Sequence, residues 1–283
     1  MLCRFYFLKE GTRVFDRAEL VTYLKSEPYI KFNDDGEIKK AIYHNTVLNF
    51  DATFVMSNRS IIENIERLNP KYLDTNFYVE FELLTNSYKV NRLLDIVKVL
   101  CSRFDFCIYN EFFEDVMKFD RSVCINCFNV LKNAYKKTYE DKFVNISKLS
   151  QDSLTKVYSY LETKEDIEKN CDNKTLPYLF LREDSTRNAY LGIDLDLQSG
   201  LIIPPGAKLC KIHNGEDFYY ASFNDIYKKI AKFCENIDSA IEYPVLIIKS
   251  KYIRKINKIL LKTNFNRVLV KLNEVELDSI LDL

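Results

Sequence analysis

Tryptophan is absent from these 283 residues, glycine and proline number six each, methionine three and histidine two. So little glycine and proline excludes a loop-rich or low-complexity scaffold, because those two residues punctuate turns and linkers. With only His44 and His213, any imidazole acid–base or metal chemistry must run through one or both. Net charge is missing as well. The 41 Lys and Arg residues balance 41 Asp and Glu, so the global field draws the chain neither to nucleic acid nor to an anionic membrane, and electrostatic function must be local. No apolar run approaches the roughly 18–20 residues that cross a bilayer, and no membrane association is expected. Met1 to Leu8 lacks a basic leader, a long apolar stretch and a small-residue cleavage site, so a signal peptide is not read there and a cytoplasmic setting, in a cell or an infected host, is the expectation. P-loop, dinucleotide, kinase and zinc-protease patterns do not occur.

What is present describes a folded chain. A 47% hydrophobic and 29% charged composition buries a sizeable core under a solvated surface, which argues against disorder. Single cores stop growing near about 250–300 residues, so two lobes are expected. The fold class read from the pattern is α+β, each lobe a mostly antiparallel or mixed sheet covered by helices. The N-terminal lobe spans 1–145, a helical, charge-rich connector 146–173, and the C-terminal lobe 174–283.

Within the first lobe, Phe77, Val79, Phe81 and Leu83 alternate with Tyr78, Glu80 and Glu82 over Asn76 to Leu84, a strand with one wet face. Val90, Leu93, Leu94, Val97, Leu100, Cys101 and Phe104 then form a helical stripe over Tyr88 to Phe104. Asp34-Asp35-Gly36 signals a hairpin, Ser57 or Ser60 a helix cap over Ile61 to Leu68, and Phe112 to Phe119 a further helix. In the second lobe, turn residues separate four strands in what reads as an antiparallel meander. Ser222 and Asp225 suggest a capping-box-like start to a helix through Asn236. A strand is expected at Val268 to Leu272 and a final helix capped by Asn273.

Four features bear on chemistry. Cys124-Ile125-Asn126-Cys127 has the spacing of a metal or redox pair, but structural zinc needs four ligands, and Cys101 and Cys107 stand at apolar positions; packed thiols are the simpler reading. Asp194 and Asp196 fall on one face of an expected strand, a carboxylate pair suited to a hard cation in a phosphoryl-transfer enzyme, though an exposed sheet face gives the same alternation. His44 and His213 lie near strand ends with no nucleophile context beside them.

The most informative stretch is residues 249–271, with eight Lys or Arg and no acid. Lys251, Arg254, Lys255, Lys258 and Lys262 share one face of an expected helix over 250–262, opposite Ile253, Ile256, Ile259 and Leu260. Such a face binds an acidic protein or phosphates, or is simply solvated. The expected function is a non-enzymatic protein–protein interaction factor, inhibitor-, immunity- or anti-defence-like, with a protein partner and no cofactor. Nucleic-acid binding through the basic stripe is the alternative, and a metal-dependent enzyme on Asp194 and Asp196 the third.

Overall fold

A computed structural model describes residues 1–11, 15–34 and 38–282. The chain has α+β architecture and divides into two compact units, Met1–Phe143 and Val144–Leu283.

The first unit holds one seven-stranded sheet: β1 (Leu2–Glu10), β2 (Ile30–Asp34), β3 (Lys39–Asn45), β4 (Phe50–Met56), β5 (Tyr72–Glu82), β6 (Cys107–Tyr109) and β7 (Met117–Lys118). They lie in the order β2-β3-β4-β5-β1-β6-β7, every pairing antiparallel. Strand alternation sends Phe7, Phe54, Phe77 and Phe81 to one face. Phe7 stacks on Phe77 at 4.6 Å between ring centroids, and Phe54 lies 6.0 Å from Phe77. Three helices accompany the sheet, α1 (Arg17–Ser26), α2 (Ser87–Phe104) and α3 (Arg121–Thr138). All seven residues of the expected α2 stripe are buried. Phe104 of α2 stacks on Phe106, which reaches Phe7 at 5.5 Å, while Phe128 of α3 meets Phe81 at 5.8 Å. The opposite face carries a row of tyrosines, Tyr78, Tyr6 and Tyr109, with successive centroids 5.8 and 6.2 Å apart, packed with Ile62, Ile65 and Leu68.

Several local expectations change. The strand expected from Asn76 begins at Tyr72, because a bulge opposite Phe7 and Leu8 breaks the alternation that sequence reading follows. Asn76 takes a left-handed φ of 55°, and the Thr75 hydroxyl donates to the Phe7 carbonyl at 2.5 Å. Only Ile65–Arg67 within 61–68 is helical, a single 3-10 turn, because the Ser60 hydroxyl instead accepts from the nearby Ile62 amide and Asn64 turns left-handed. Residues 112–116 form turns and bends leading into β7, not a helix, since Asp115 accepts from the Val116 and Asn69 amides and ties the segment to a loop. The expected 34–36 turn falls largely outside the described residues, although β2 and β3 on either side of it pair.

The second unit contains β8 (Ser147–Lys148), β9 (Tyr178–Glu183), β10 (Ala189–Asp194), β11 (Ile202–Ile203), β12 (Leu209–Asn214), β13 (Asp217–Ser222), β14 (Cys234–Ile237), β15 (Val245–Ile248), β16 (Leu272–Glu274) and β17 (Ile280–Leu281). They form a five-stranded sheet β13-β12-β10-β9-β16, a three-stranded sheet β11-β15-β14, and the pair β17-β8. The segment expected as a connector lies inside this unit. There β8 is followed by α4 (Gln151–Cys171), capped by the Ser150 hydroxyl on the Ser153 amide and buried through Leu154, Val157, Tyr160 and Ile167.

The expected meander is not formed. β10 and β12 pair in parallel because the intervening chain leaves the sheet and contributes β11 to another. Asn214-Gly215 does close a hairpin between β12 and β13, with φ of +69° at Gly215, a conformation that glycine adopts without a Cβ clash. The helix from Ser222 is short, α5 (Phe223–Ile230), and gives way at Cys234 to β14. Ser222 makes no side-chain cap; it is still paired with Leu209 in the sheet, and Asp225 turns to Lys228 at 3.0 Å. Asn273 lies in β16 opposite Arg182, so the final helix expected there is a strand followed by a 3-10 turn.

Candidate cationic surface on the last helix

α6 (Ile253–Lys262) follows a 3-10 turn at Ser250–Tyr252. Ile256 and Leu260 are buried, with Ile253 and Ile259 packed partly against the same Leu- and Ile-rich core of the second unit. The spacing of these residues builds one apolar stripe, and the intervening Arg and Lys residues favour helix without competing for the backbone. The helix ends at Thr263, whose extended ψ of 123° breaks the turn while its N–H still reaches the Ile259 carbonyl at 2.9 Å. Neither an acidic first turn nor a side-chain cap supports its N-terminus. Burial of the Ile/Leu stripe therefore holds α6 in place, since a helix this short is marginal by itself.

The opposite face is cationic. Arg254, Lys255, Lys258 and Lys262 on α6, and Lys251 on the preceding turn, are all exposed. Among the described residues none of the five meets a carboxylate within ion-pair distance. The flanking Lys249 and Lys271 do, with Glu235 and Asp184. Lys251 lies 5.2 Å from the Tyr252 ring centroid and Lys255 5.2 Å from that of Phe233. Those rings seat the lysine stems, because an ammonium is drawn to the negative π face. Like charges four apart, Arg254 with Lys258 and Lys258 with Lys262, destabilise the helix by about 0.2–0.5 kcal/mol each.

Exposed aliphatic side chains occur on α6 and in the loop after it. Leu261 is 65% exposed and Leu269, in the loop beyond α6, 94%. The sequence pattern predicts a strand over Val268 to Leu272, which includes Leu269 and Val270. In the structure only Arg267 bridges Ala221 and the Val268 N–H reaches the Tyr220 carbonyl, so the loop follows β13 briefly and then diverges before β16.

The other candidate residues are placed differently from expectation. β10 ends at Asp194, so Asp194 and Asp196 do not share a strand face. The Asp194 carboxylate meets Nε2 of His213 at 2.5 Å, whereas Asp196 accepts from the Gln198 amide at 3.0 Å in a turn. Near this pair, Glu274 accepts from Lys211 at 3.0 Å and from the Tyr220 hydroxyl at 3.1 Å, and burial followed by the Glu274 charge pushes the Tyr220 hydroxyl up to about 12. His44 pairs with Asp51 across β3 and β4, its Nδ1 2.5 Å from the carboxylate. None of the contacts between strands was legible in the sequence, since each depends on a register that only the fold sets.

All eight cysteines are free thiols. Cys124 and Cys127 sit on α3, and burial pushes their thiols up to about 12 and about 11, away from the thiolate form that metal binding and nucleophilic chemistry require. Among the described residues no three His, Cys, Asp or Glu side chains converge to hold a metal ion, and no helix is long and apolar enough to cross a membrane. No protein-family model, curated protein or solved structure matches the chain.

Proposed function

We propose that this protein is a non-enzymatic binding factor that takes an acidic protein surface against the exposed face of α6. The observation that carries this reading is the set of five cations, Lys251, Arg254, Lys255, Lys258 and Lys262, with no carboxylate partner among the described residues, on a helix whose other side is anchored in a core. An acidic partner relieves the repulsion along the helix and supplies the missing counter-charges. The exposed Leu261 on α6 suits a protein partner, because interfaces combine a charged rim with apolar side chains that are desolvated on contact.

Nucleic acid would also supply negative charge. Single-stranded binding, however, uses aromatic faces as stacking platforms, and here Phe233 is buried while Tyr252 is half-buried beneath Lys251. That difference favours the acidic protein.

The test is affinity purification of the tagged full chain from its native source, with and without nuclease, beside a Lys255→Glu/Lys258→Glu variant. The expected result is a stoichiometric acidic partner that survives nuclease, is lost from the variant, and is released near about 1 M salt, where the screening length falls to about 3 Å. A partner retained equally by the variant, or recovery of nuclease-sensitive material alone, overturns the reading.

A further inference from the structure

At the C-terminal end of α6 lies a cavity of about 150 Å³. His213 and Asn214 from the end of β12, Tyr219 from β13, Lys262 from α6, and Asn264 and Arg267 from the following loop contribute to its wall, and among the described residues no carboxylate lines it. Three of these side chains are held by neighbours. Tyr219 is the cross-strand partner of Ile212. Arg267 bridges Ala221 through its backbone, and its guanidinium lies 4.8 Å from the Tyr219 ring centroid. A guanidinium seated on a ring keeps the N–H groups along its edge available to an oxyanion. His213 is oriented by the contact between its Nε2 and Asp194, which leaves Nδ1 as the ring nitrogen that Asp194 does not engage.

Two local fields oppose an anion here, the Asp194 carboxylate behind His213 and the C-terminal end of α6. The last carbonyls of α6 carry a partial negative charge of about half an electron. Lys262 and Arg267 line the cavity itself with two full positive charges, while Asp194 stands behind the His213 ring and is not among the lining residues.

We propose that this cavity binds a phosphate dianion, free or as a monoester. Two cations and several neutral donors match a group that carries about −1.5 to −2 charge and three acceptor oxygens near neutral pH. A carboxylate would leave one cation unmatched. The volume suits a single such group and falls short of the roughly 300 Å³ or more at which pockets accept larger organic ligands. Lys262 belongs to both surfaces, but the phosphate site stands whether or not α6 binds a protein, because its other walls come from β12, β13 and the loop.

The two histidines make the test direct. The full chain is titrated with inorganic phosphate and with O-phosphoserine at constant pH and chloride-balanced ionic strength, following the imidazole proton resonances. His213 should move saturably while His44, in the other unit, stays still. The affinity should fall about tenfold or more in Arg267→Gln and in Lys262→Gln, as expected for loss of one charge-assisted contact, and stay unchanged in Lys169→Gln on α4. O-phosphoserine binding as well as or better than inorganic phosphate assigns the ester, and preference for inorganic phosphate assigns the free ion. Unsaturable movement of both histidines together, or unchanged affinity in both pocket variants, overturns the proposal. If the variants fail to fold, acetate decides on the wild-type chain: saturable binding as tight as that of phosphate also overturns it.

Discussion

Both compact units are electrically neutral, with 21 cations and 21 acids in residues 1–143 and 20 of each in residues 144–283, yet they distribute charge differently. In the first, cations and acids are interspersed, as in Arg4 with Glu80 and Arg121 with Asp95. In the second, eight of the 20 cations fall within 249–271, a stretch with no acid. The cores differ too. Stacked phenylalanines on one antiparallel sheet fill the first, whereas Leu and Ile side chains drawn from several elements fill much of the second. The α-helices described in the first unit start on a side-chain cap, from Asp16, Asn86 and Asp120; in the second, α4 is capped by Ser150 but α5 and α6 have none. A neutral composition therefore says little about a surface. The first unit satisfies its elements locally, while the second holds an uncapped cationic helix by tertiary packing and leaves its charge facing outward.

That contrast can be broken from either side. Phe77→Ala removes a ring that touches Phe7, Phe54 and Phe106, and should cost about 3–5 kcal/mol in denaturant unfolding of the first unit. Ile256→Ala in the second should cost about 2–5 kcal/mol and, because nothing caps α6, should also raise amide exchange along Ile253–Lys262. Equal protection of α6 in this variant would show that packing is not what holds it.

Smaller substitutions sharpen the comparison of caps. Asn86→Ala deletes the acceptor for the Lys89 amide and should cost about 0.5–2 kcal/mol. Ser222→Ala, at a helix start without a side-chain bond, should change stability by less than about 0.5 kcal/mol. Lys255→Glu/Lys258→Glu should fall within the same small range, although it abolishes the proposed partner binding; a large loss of stability would show that these lysines support the fold itself.

Thiol reactivity separates the cysteines with almost no change in stability. At pH 8, a thiol pushed up to about 12 by burial, such as Cys124, is thiolate in only roughly one molecule in ten thousand. Alkylation of the native chain should therefore reach half-buried Cys171 well before Cys124, Cys3 or Cys210. Early modification of Cys124 would mean that the first unit opens far more readily than its packing implies.

Legibility in the sequence followed the range of the forces involved. The α2 stripe, the β12–β13 hairpin at Asn214-Gly215 and the two faces of α6 were all readable, because helical periodicity and glycine stereochemistry act within a few residues. The helix expected at Phe112 to Phe119, the length of the helix after Ser222 and the strand at Val268 to Leu272 were misread. In each, a contact from outside the segment outcompeted local propensity: Asp115 with the Asn69 amide, Cys234–Ile237 with the strand Val245–Ile248, and Leu272 with Glu183.

The amino-acid sequence by itself determined the α+β class, the burial of most cysteines and the segregation of cations to 249–271, since these follow from residue type and spacing. Tertiary structure alone decided the parallel pairing of β10 with β12, the separation of Asp194 from Asp196, the exposure of Leu269, and the cavity where His213, Lys262 and Arg267 meet. Those outcomes depend on strand register and on where the chain crosses between sheets. Such choices are made by the packing of distant segments, which no local pattern encodes.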